Sequence, residues 1–170
     1  MSLKEKTMSL HRICERHPVG QLLSNGTVGE LEWASWLEVQ RRVHEAIDPM
    51  LPGELHREQA LAADLATMDT EPLPNTMADA YVATLRSQDG AEGACYVIVG
   101  AHLMGGSLIA QRVGDRLPHG HVPKDEERKT MLRAWEPLRE RDDLEIEAMR
   151  CFGALLSAME ELRQRLEVGA

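Results

Sequence analysis

The chain has 170 residues, about the length of one ordinary domain. Its 19 basic and 28 acidic residues give a net charge of −9, which disfavours binding to nucleic-acid phosphates and to anionic lipid. Apolar residues make up 43% of the sequence, enough for a folded core, and the aromatic share of 4% favours helix over sheet. We expect a single all-α domain over residues 1–170, with neither nucleic acid nor a membrane as partner.

Helical periodicity, with apolar residues three and four positions apart, recurs along most of the chain. It predicts a compact bundle of about seven helices. Helices are predicted in chain order over residues 3–15, from 30 to about 47, around 55–68, behind a cap at Asn75, from 94 to about 116, from 123, and from 144 to 166.

Local signals set the boundaries of these helices. His17-Pro18 ends the first helix, and residues 24–26 are predicted to form a turn. Thr27 has the spacing of a capping box at the start of the next helix. Residues 87–92 are predicted as a turn, and Pro123 is predicted to open the sixth helix.

Three cysteines, Cys14, Cys95 and Cys151, are an odd number without the spacing of a zinc site. They favour a reducing compartment, and the N-terminus lacks the apolar stretch of a signal peptide. Residues 94–110 are the most apolar stretch but fall short of the ~20 residues that span a bilayer. We expect a cytoplasmic protein with a buried central helix.

One face of the first helix carries Lys4, Thr7, His11 and Cys14. The imidazole and the ammonium lie about two turns, or ~10 Å, apart along the axis. Such a face can ligate a metal and hold an anion beyond it. The simpler alternative is a surface histidine on a charged helix.

The most apolar helix contains Gly105-Gly106, preceded by His102. Paired glycines inside a helix cost roughly 1 kcal/mol each relative to alanine and mark a kink or a close approach to the backbone. Packing of this helix against a neighbour is the alternative explanation.

The two features together resemble the heme oxygenase family, in its bacterial, biliverdin-producing form. Residues 3–11, Leu-Lys-Glu-Lys-Thr-Met-Ser-Leu-His, are similar to that family's opening L-[KR]-E-x-T-x-x-x-H. Residues 103–106, preceded by Tyr96, resemble its distal helix, and Phe152 lies in a segment similar to its closing helix. The resemblance covers most of the chain, with the central third matched by helical pattern alone.

The resemblance implies that haem is both cofactor and substrate, opened with dioxygen and external electrons to biliverdin, carbon monoxide and ferrous iron. A ferredoxin or a flavoprotein reductase would be the electron donor, and Arg112 with Arg116 would be the basic patch for an acidic ferredoxin. The residue roles that it implies are iron ligation by His11, pairing with a haem propionate by Lys4, walls formed by Thr7, Tyr96 and Phe152, and close backbone approach at Gly105 and Gly106.

This sequence departs from the family at the distal acid. Counting back from Gly105 puts His102 at that position, whereas counting forward from Tyr96 puts Ala101 there, and neither is a carboxylate. A distal imidazole can hydrogen-bond bound oxygen, promote O–O cleavage or coordinate the iron. The alternative function is therefore haem carriage or sensing without degradation.

A third hypothesis is another enzyme of this helical superfold, such as a thiaminase-like or cofactor-biosynthesis relative, which would need a catalytic cysteine or an acidic cluster. Among the other histidines, His17 is an alternative iron ligand. His44 and His56 are expected to be exposed, and His119 and His121 are expected in a solvated loop.

Overall fold

Nine α-helices and five short 3₁₀ helices form the regular structure of residues 1–169, the part of the chain that this computed structural model describes, and no strand occurs there. The prediction of an all-α fold is confirmed. The α-helices are α1 (Leu3–Arg16), α2 (Pro18–Asn25), α3 (Glu30–Ile47), α4 (Glu58–Ala66), α5 (Thr76–Thr84), α6 (Gln88–Met104), α7 (Gly106–Val113), α8 (Asp125–Trp135) and α9 (Glu145–Gly169).

The apolar helix α6 lies at the centre, with residues on nearly every face buried. It packs against α3, α8 and α9, and α9 also packs against α1 and α5. Buried apolar side chains from these helices form one continuous core. α1 and α6 therefore share one core. The face of α1 that carries His11 and the paired glycines Gly105-Gly106 are held at fixed positions relative to each other.

The count of nine α-helices exceeds the predicted seven at two places, and the first is α2. His17 ends α1, and Pro18 occupies the first position of α2, where its missing N–H is not needed. The predicted turn at residues 24–26 is wrong for Ser24 and Asn25, which lie in the last turn of α2. Gly26, with φ of 69°, provides the left-handed end of that helix.

The second difference is a break in the predicted continuous apolar helix. Gly105 lies between α6 and α7, and the two segments are bent by 48°. The predicted kink at the paired glycines is therefore confirmed. Within residues 1–169 no single helix is long and apolar enough to cross a membrane, although α6 and α7 satisfy that length and composition test together as a bent pair.

Helix capping follows the sequence in some places and not in others. The side chain of Asn75 accepts a hydrogen bond from the Ala78 N–H at 2.9 Å, as predicted. The predicted capping box at Thr27 is wrong, because Gly29 is the N-cap of α3 and no side chain caps it. The predicted turn after Ser87 is also wrong, since Ser87 caps α6 and the helix begins at the next residue.

Two glycines allow a direct test of the packing between α6 and α9. A Cβ on Gly93 would lie 2.4 Å from Glu147 Cβ, whereas a Cβ on Gly153 in α9 would meet nothing within 4 Å. We expect Gly93→Ala to destabilise the fold by about 1–3 kcal/mol through overpacking. Gly153→Ala should stabilise it by about 0.5–1 kcal/mol through lower backbone entropy in the unfolded chain. Urea denaturation measures the free energy of unfolding of both variants. Equal changes in the two variants would contradict the close packing of α6 against α9 at Gly93.

Candidate functional site

A cavity of about 600 Å³ lies between α1, α6, α7 and α9. This volume is within the range of sites that bind small molecules and cofactors. Its lining is mainly apolar, with a few polar side chains. All eight site residues predicted from the sequence line it, namely Lys4, Thr7, His11, Tyr96, His102, Gly105, Gly106 and Phe152.

His11 lies on the α1 wall with 48% of its side chain exposed. Its Nε2 is 3.6 Å from Glu15 Oε1, which is too long for a hydrogen bond, and its ring meets Phe152 edge-on at 5.9 Å. Thr7, by contrast, is buried and donates its hydroxyl hydrogen to Leu3 O. The His11 imidazole therefore retains a nitrogen that is free to bind a ligand.

The other histidine considered for iron ligation, His17, is already engaged at both ring nitrogens. Its Nδ1 accepts a hydrogen bond from the Val19 N–H at 3.2 Å, and its Nε2 lies 2.8 Å from Glu160 Oε2. This side chain connects α2 to α9, and it is absent from the cavity lining.

The glycines in α6 and at the α6–α7 break differ in the space around them. A Cβ on Gly105 would meet only Ala101 O, at 3.7 Å, and one on Gly106 would lie 3.2 Å from Val122 Cγ1. One turn earlier in α6, a Cβ on Gly100 would lie 2.9 Å from the Trp135 ring. Packing thus explains Gly100, whereas the room at Gly105 belongs to the cavity.

Tyr96 forms part of the same wall. Its ring stacks on Trp135 with centroids 5.7 Å apart, and its carbonyl oxygen accepts a hydrogen bond from Trp135 Nε1 at 3.2 Å. The exposed Arg139 lies 5.8 Å above the Trp135 ring and also lines the cavity. Arg139 has no local signal in the sequence, because only the fold brings its helical turn near α1.

His102 is buried in the cavity wall, where it joins a hydrogen-bonded group that sequence analysis did not find. Its Nε2 is 3.2 Å from His44 Nε2, and His44 Nδ1 is 2.8 Å from Asp48 Oδ1. The expectation that His44 is exposed is wrong, because its exposure is 0%. The i, i+4 spacing of His44 and Asp48 was the one local signal for this pair.

A second Asp-His pair adjoins His102. His121 Nδ1 lies 2.7 Å from Asp64 Oδ2, and its ring meets the His102 ring edge-on at 5.4 Å. His121 was expected in a solvated loop, which is wrong, because it is 4% exposed and lines the cavity. His56 is exposed as predicted.

Burial is the largest influence on the pKa of His102 and lowers it well below the ordinary value, with His121, His44 and Arg57 adding to the effect. Burial raises the pKa of Asp48, but hydrogen bonds from His44 and from two backbone N–H groups outweigh it, so that pKa is lowered. The same balance lowers the pKa of Asp64. The group thus contains a neutral His102 between two ionised carboxylates that each hold an imidazole.

No three His, Cys, Asp or Glu side chains within residues 1–169 are arranged to hold a metal ion by themselves. The cysteines are free and buried, and burial raises the pKa of Cys14 to about 11 and that of Cys151 to about 12. Thiols of this kind are poor nucleophiles, which disfavours the third hypothesis.

The two arginines of the basic patch suggested for a ferredoxin are engaged in hydrogen bonds within the protein. The Arg112 guanidinium donates to Ser24 O. Arg116 donates to Val28 O at 2.8 Å and to Gly26 O at 2.7 Å. These two side chains fasten the loop after α2.

A solved structure with a similar fold is heme oxygenase-1 from the cyanobacterium Synechocystis sp. PCC6803, in complex with heme. The TM-score is 0.77 at 18% sequence identity, over 98% of this chain and 93% of that chain. Likeness at this identity establishes the heme oxygenase-like fold alone. No family model matches the sequence, and no curated protein matches it.

The buried His102 predicts a dependence of stability on pH. Its pKa is lower in the folded chain than in the unfolded one, so the unfolded chain binds the extra proton first. The free energy of unfolding should be constant above pH ~6.5 for this group and fall as the pH drops below it, by up to about 1.4 kcal/mol per unit. Urea denaturation between pH 7.5 and 5 measures this slope.

His102→Leu should flatten that slope, whereas His56→Gln, which replaces an exposed imidazole, should keep it. An unchanged slope in His102→Leu would contradict the burial of a neutral imidazole at this position.

Proposed function

We propose that the chain binds haem in the cavity between α1 and the α6–α7 break and cleaves it oxidatively to biliverdin, carbon monoxide and ferrous iron. The observation that carries the proposal is the His11 imidazole, which lines this cavity without a close hydrogen bond. The likeness in fold to a heme oxygenase-1 solved with heme supports it.

The chemistry of the lining fits haem at three places. The walls are mainly apolar, as a porphyrin face requires, and the room at Gly105 admits a group close to the backbone. The exposed cations Lys4 and Arg139 line the cavity and suit two propionate carboxylates. Gln40 lines it as well, and its Oε1 is buried without a hydrogen-bond partner in residues 1–169.

When bound, haem supplies the iron that activates dioxygen and the ring that is opened, with electrons from a ferredoxin or a flavoprotein reductase. His11 offers the iron its free nitrogen, and Lys4 pairs with a propionate. Thr7, Tyr96 and Phe152 exclude water from the site. The backbone at Gly105 and Gly106 leaves space on the opposite face. A cytoplasmic location belongs to the same proposal and is supported by three free cysteines.

His102 takes the position at which a proton can be held near the reacting face. Burial and its hydrogen bond to His44 keep the imidazole neutral and in place. It therefore lines the cavity without adding a buried charge.

The alternative function is haem carriage or sensing without ring opening. The same neutral imidazole favours it, because a second histidine in the cavity lining would be able to ligate the iron in addition to His11.

A haemin titration followed by ascorbate under air separates the two functions. Oxidative cleavage predicts a Soret band that saturates at one haem per chain and then decays as biliverdin absorbance rises. A stable Soret band with no biliverdin would favour carriage, and the absence of saturable binding would contradict both functions.

His11→Ala should abolish the ferric Soret spectrum or alter it strongly, because the free nitrogen on the α1 wall is lost. His17→Ala should leave that spectrum unchanged, although loss of the cap on α2 costs about 1 kcal/mol of stability. Absorption spectra of the two haem-loaded variants provide the measurement. An exchange of these two effects would show that the ligand is misassigned.

His102→Ala distinguishes the two roles of the distal imidazole. For the enzyme we expect a ferric spin state that the substitution leaves unchanged, together with slower biliverdin release. A low-spin wild type that becomes high-spin in His102→Ala would show that His102 ligates the iron, and would favour the carrier. Absorption and electron paramagnetic resonance spectra measure the spin state.

A further inference from the structure

We propose that His121, held by Asp64, is a second axial ligand of the haem iron in the resting ferric protein, in addition to His11. This ligation rests on the proposed function, because it requires haem in the cavity. It gives a loop residue the role of sixth iron ligand, for which His102 is the candidate that the sequence suggests.

His121 lies in the loop that precedes α8, beside the break in the central helix. Its ring meets the His102 ring edge-on at 5.4 Å. The next residue, Val122, is the one that a Cβ on Gly106 would approach to 3.2 Å. His121 lines the same cavity as both glycines of the break. The imidazole therefore borders the place where the room at Gly105 admits a ligand.

The Asp64 carboxylate fixes which nitrogen of His121 carries hydrogen. Its Oδ2 is 2.7 Å from His121 Nδ1. Burial raises the pKa of Asp64, but hydrogen bonds from the His121 ring and from two backbone N–H groups outweigh it, so the pKa is lowered and the carboxylate is ionised. An ionised carboxylate only accepts hydrogen bonds, so Nδ1 is the donor. The neutral ring then has its lone pair on Nε2.

The lone pair on His121 Nε2 is open to the cavity. Nε2 forms no hydrogen bond within residues 1–169, where the only fully enclosed side-chain nitrogen or oxygen without a partner is Gln40 Oε1. Nε2 therefore has accessible surface, and His121, which is 4% exposed, lines the cavity. A ligand in the cavity can reach this nitrogen.

The pairing with Asp64 is typical of histidines that bind metals in proteins. Such a histidine donates its second ring N–H to a carboxylate or a carbonyl, which fixes the tautomer and makes the free nitrogen a better ligand. Asp64 is fixed in turn, because it accepts from the backbone N–H groups of Gly120 and His121 at 2.9 Å each. The His121 ring is thus oriented for a metal before any metal arrives.

The metal that suits one oriented imidazole is a metal that brings most of its own ligands. No three His, Cys, Asp or Glu side chains within residues 1–169 are arranged to hold a free ion. Haem iron already has the porphyrin nitrogens and takes only axial ligands from a protein. His11 and His121, which line one cavity, would supply two axial nitrogens.

His102 is less suited to ligate the iron. His44 Nδ1 donates to Asp48 Oδ1 at 2.8 Å, so His44 Nε2 accepts the hydrogen of His102 Nε2 at 3.2 Å. His102 is left with a lone pair on Nδ1, the ring nitrogen closer to its own backbone, and that backbone lies in the buried helix α6. His121 instead offers its outer nitrogen from a loop.

Electron paramagnetic resonance and absorption spectra of the ferric, haem-loaded full chain test the ligation without relying on turnover. We expect a low-spin wild type, a high-spin His121→Ala variant and a His102→Ala variant that stays low-spin. His119→Ala is the matched control for disturbance of the loop and should also stay low-spin. His119 lies two residues away, where its Nε2 is 3.1 Å from Gly114 O, and it is absent from the cavity lining.

The rate of cyanide binding to the ferric protein gives a second, kinetic measurement. In the wild type the rate should level off at high cyanide concentration, because His121 has to leave the iron first. In His121→Ala it should rise in proportion to cyanide concentration. Asp64→Asn weakens the hold on Nδ1–H and should raise the limiting rate about tenfold.

His121→Met is the second variant if His121→Ala fails to fold, because a thioether at the ligating position keeps the iron low-spin with altered g values. Identical g values in wild type and His121→Met would overturn the ligation. A low-spin signal lost in His102→Ala and kept in His121→Ala would overturn it as well.

A wild type that saturates with haem but stays high-spin would overturn the ligation and leave the proposed function standing. A wild type without saturable haemin binding would instead refute the proposed function, and the ligation with it.

Discussion

The break in the central helix at Gly105 is the constraint on which the site depends. α6 is buried on nearly every face and carries the core, so it cannot move to make room for a ligand. The chain bends by 48° between α6 and α7, and both glycines at this break line the cavity of about 600 Å³. Any residue larger than glycine at Gly105 would place atoms in that space. Gly105 thus ends the helix that carries the core and also lines the cavity.

Polar groups buried beside this break are satisfied in pairs. Each of the two aspartates holds one imidazole and accepts two backbone N–H groups. Because an unpaired buried polar group costs about 1–3 kcal/mol, the hydrogen bond with His44 offsets part of the burial of His102. The two Asp-His pairs also orient α4 and the loop before α8 towards the cavity wall. The side chains that satisfy the buried polar groups also surround His102 in the proposed haem site.

Local chemistry was enough to predict much of the fold. Pro18 and Asn75 mark helix ends through their own backbone preferences, and the paired glycines mark the kink. The candidate site residues on α1 follow from helical spacing. The burial of His44 does not, because it depends on His102, 58 residues away in the chain. The charged residues near His44 in α3 predicted an exposed side chain. The packing of α3 against α6 buries it.

One flat ligand is expected between His11 and His102, so a crystal structure of the haem-loaded protein tests the proposed site most directly. The iron should be bound to His11 Nε2, with His102 and Gly105 on the opposite face of the ring and the propionates towards Lys4 and Arg139. Haem bound outside this cavity, or iron held by a residue other than His11 with His11 turned to solvent, would contradict the account.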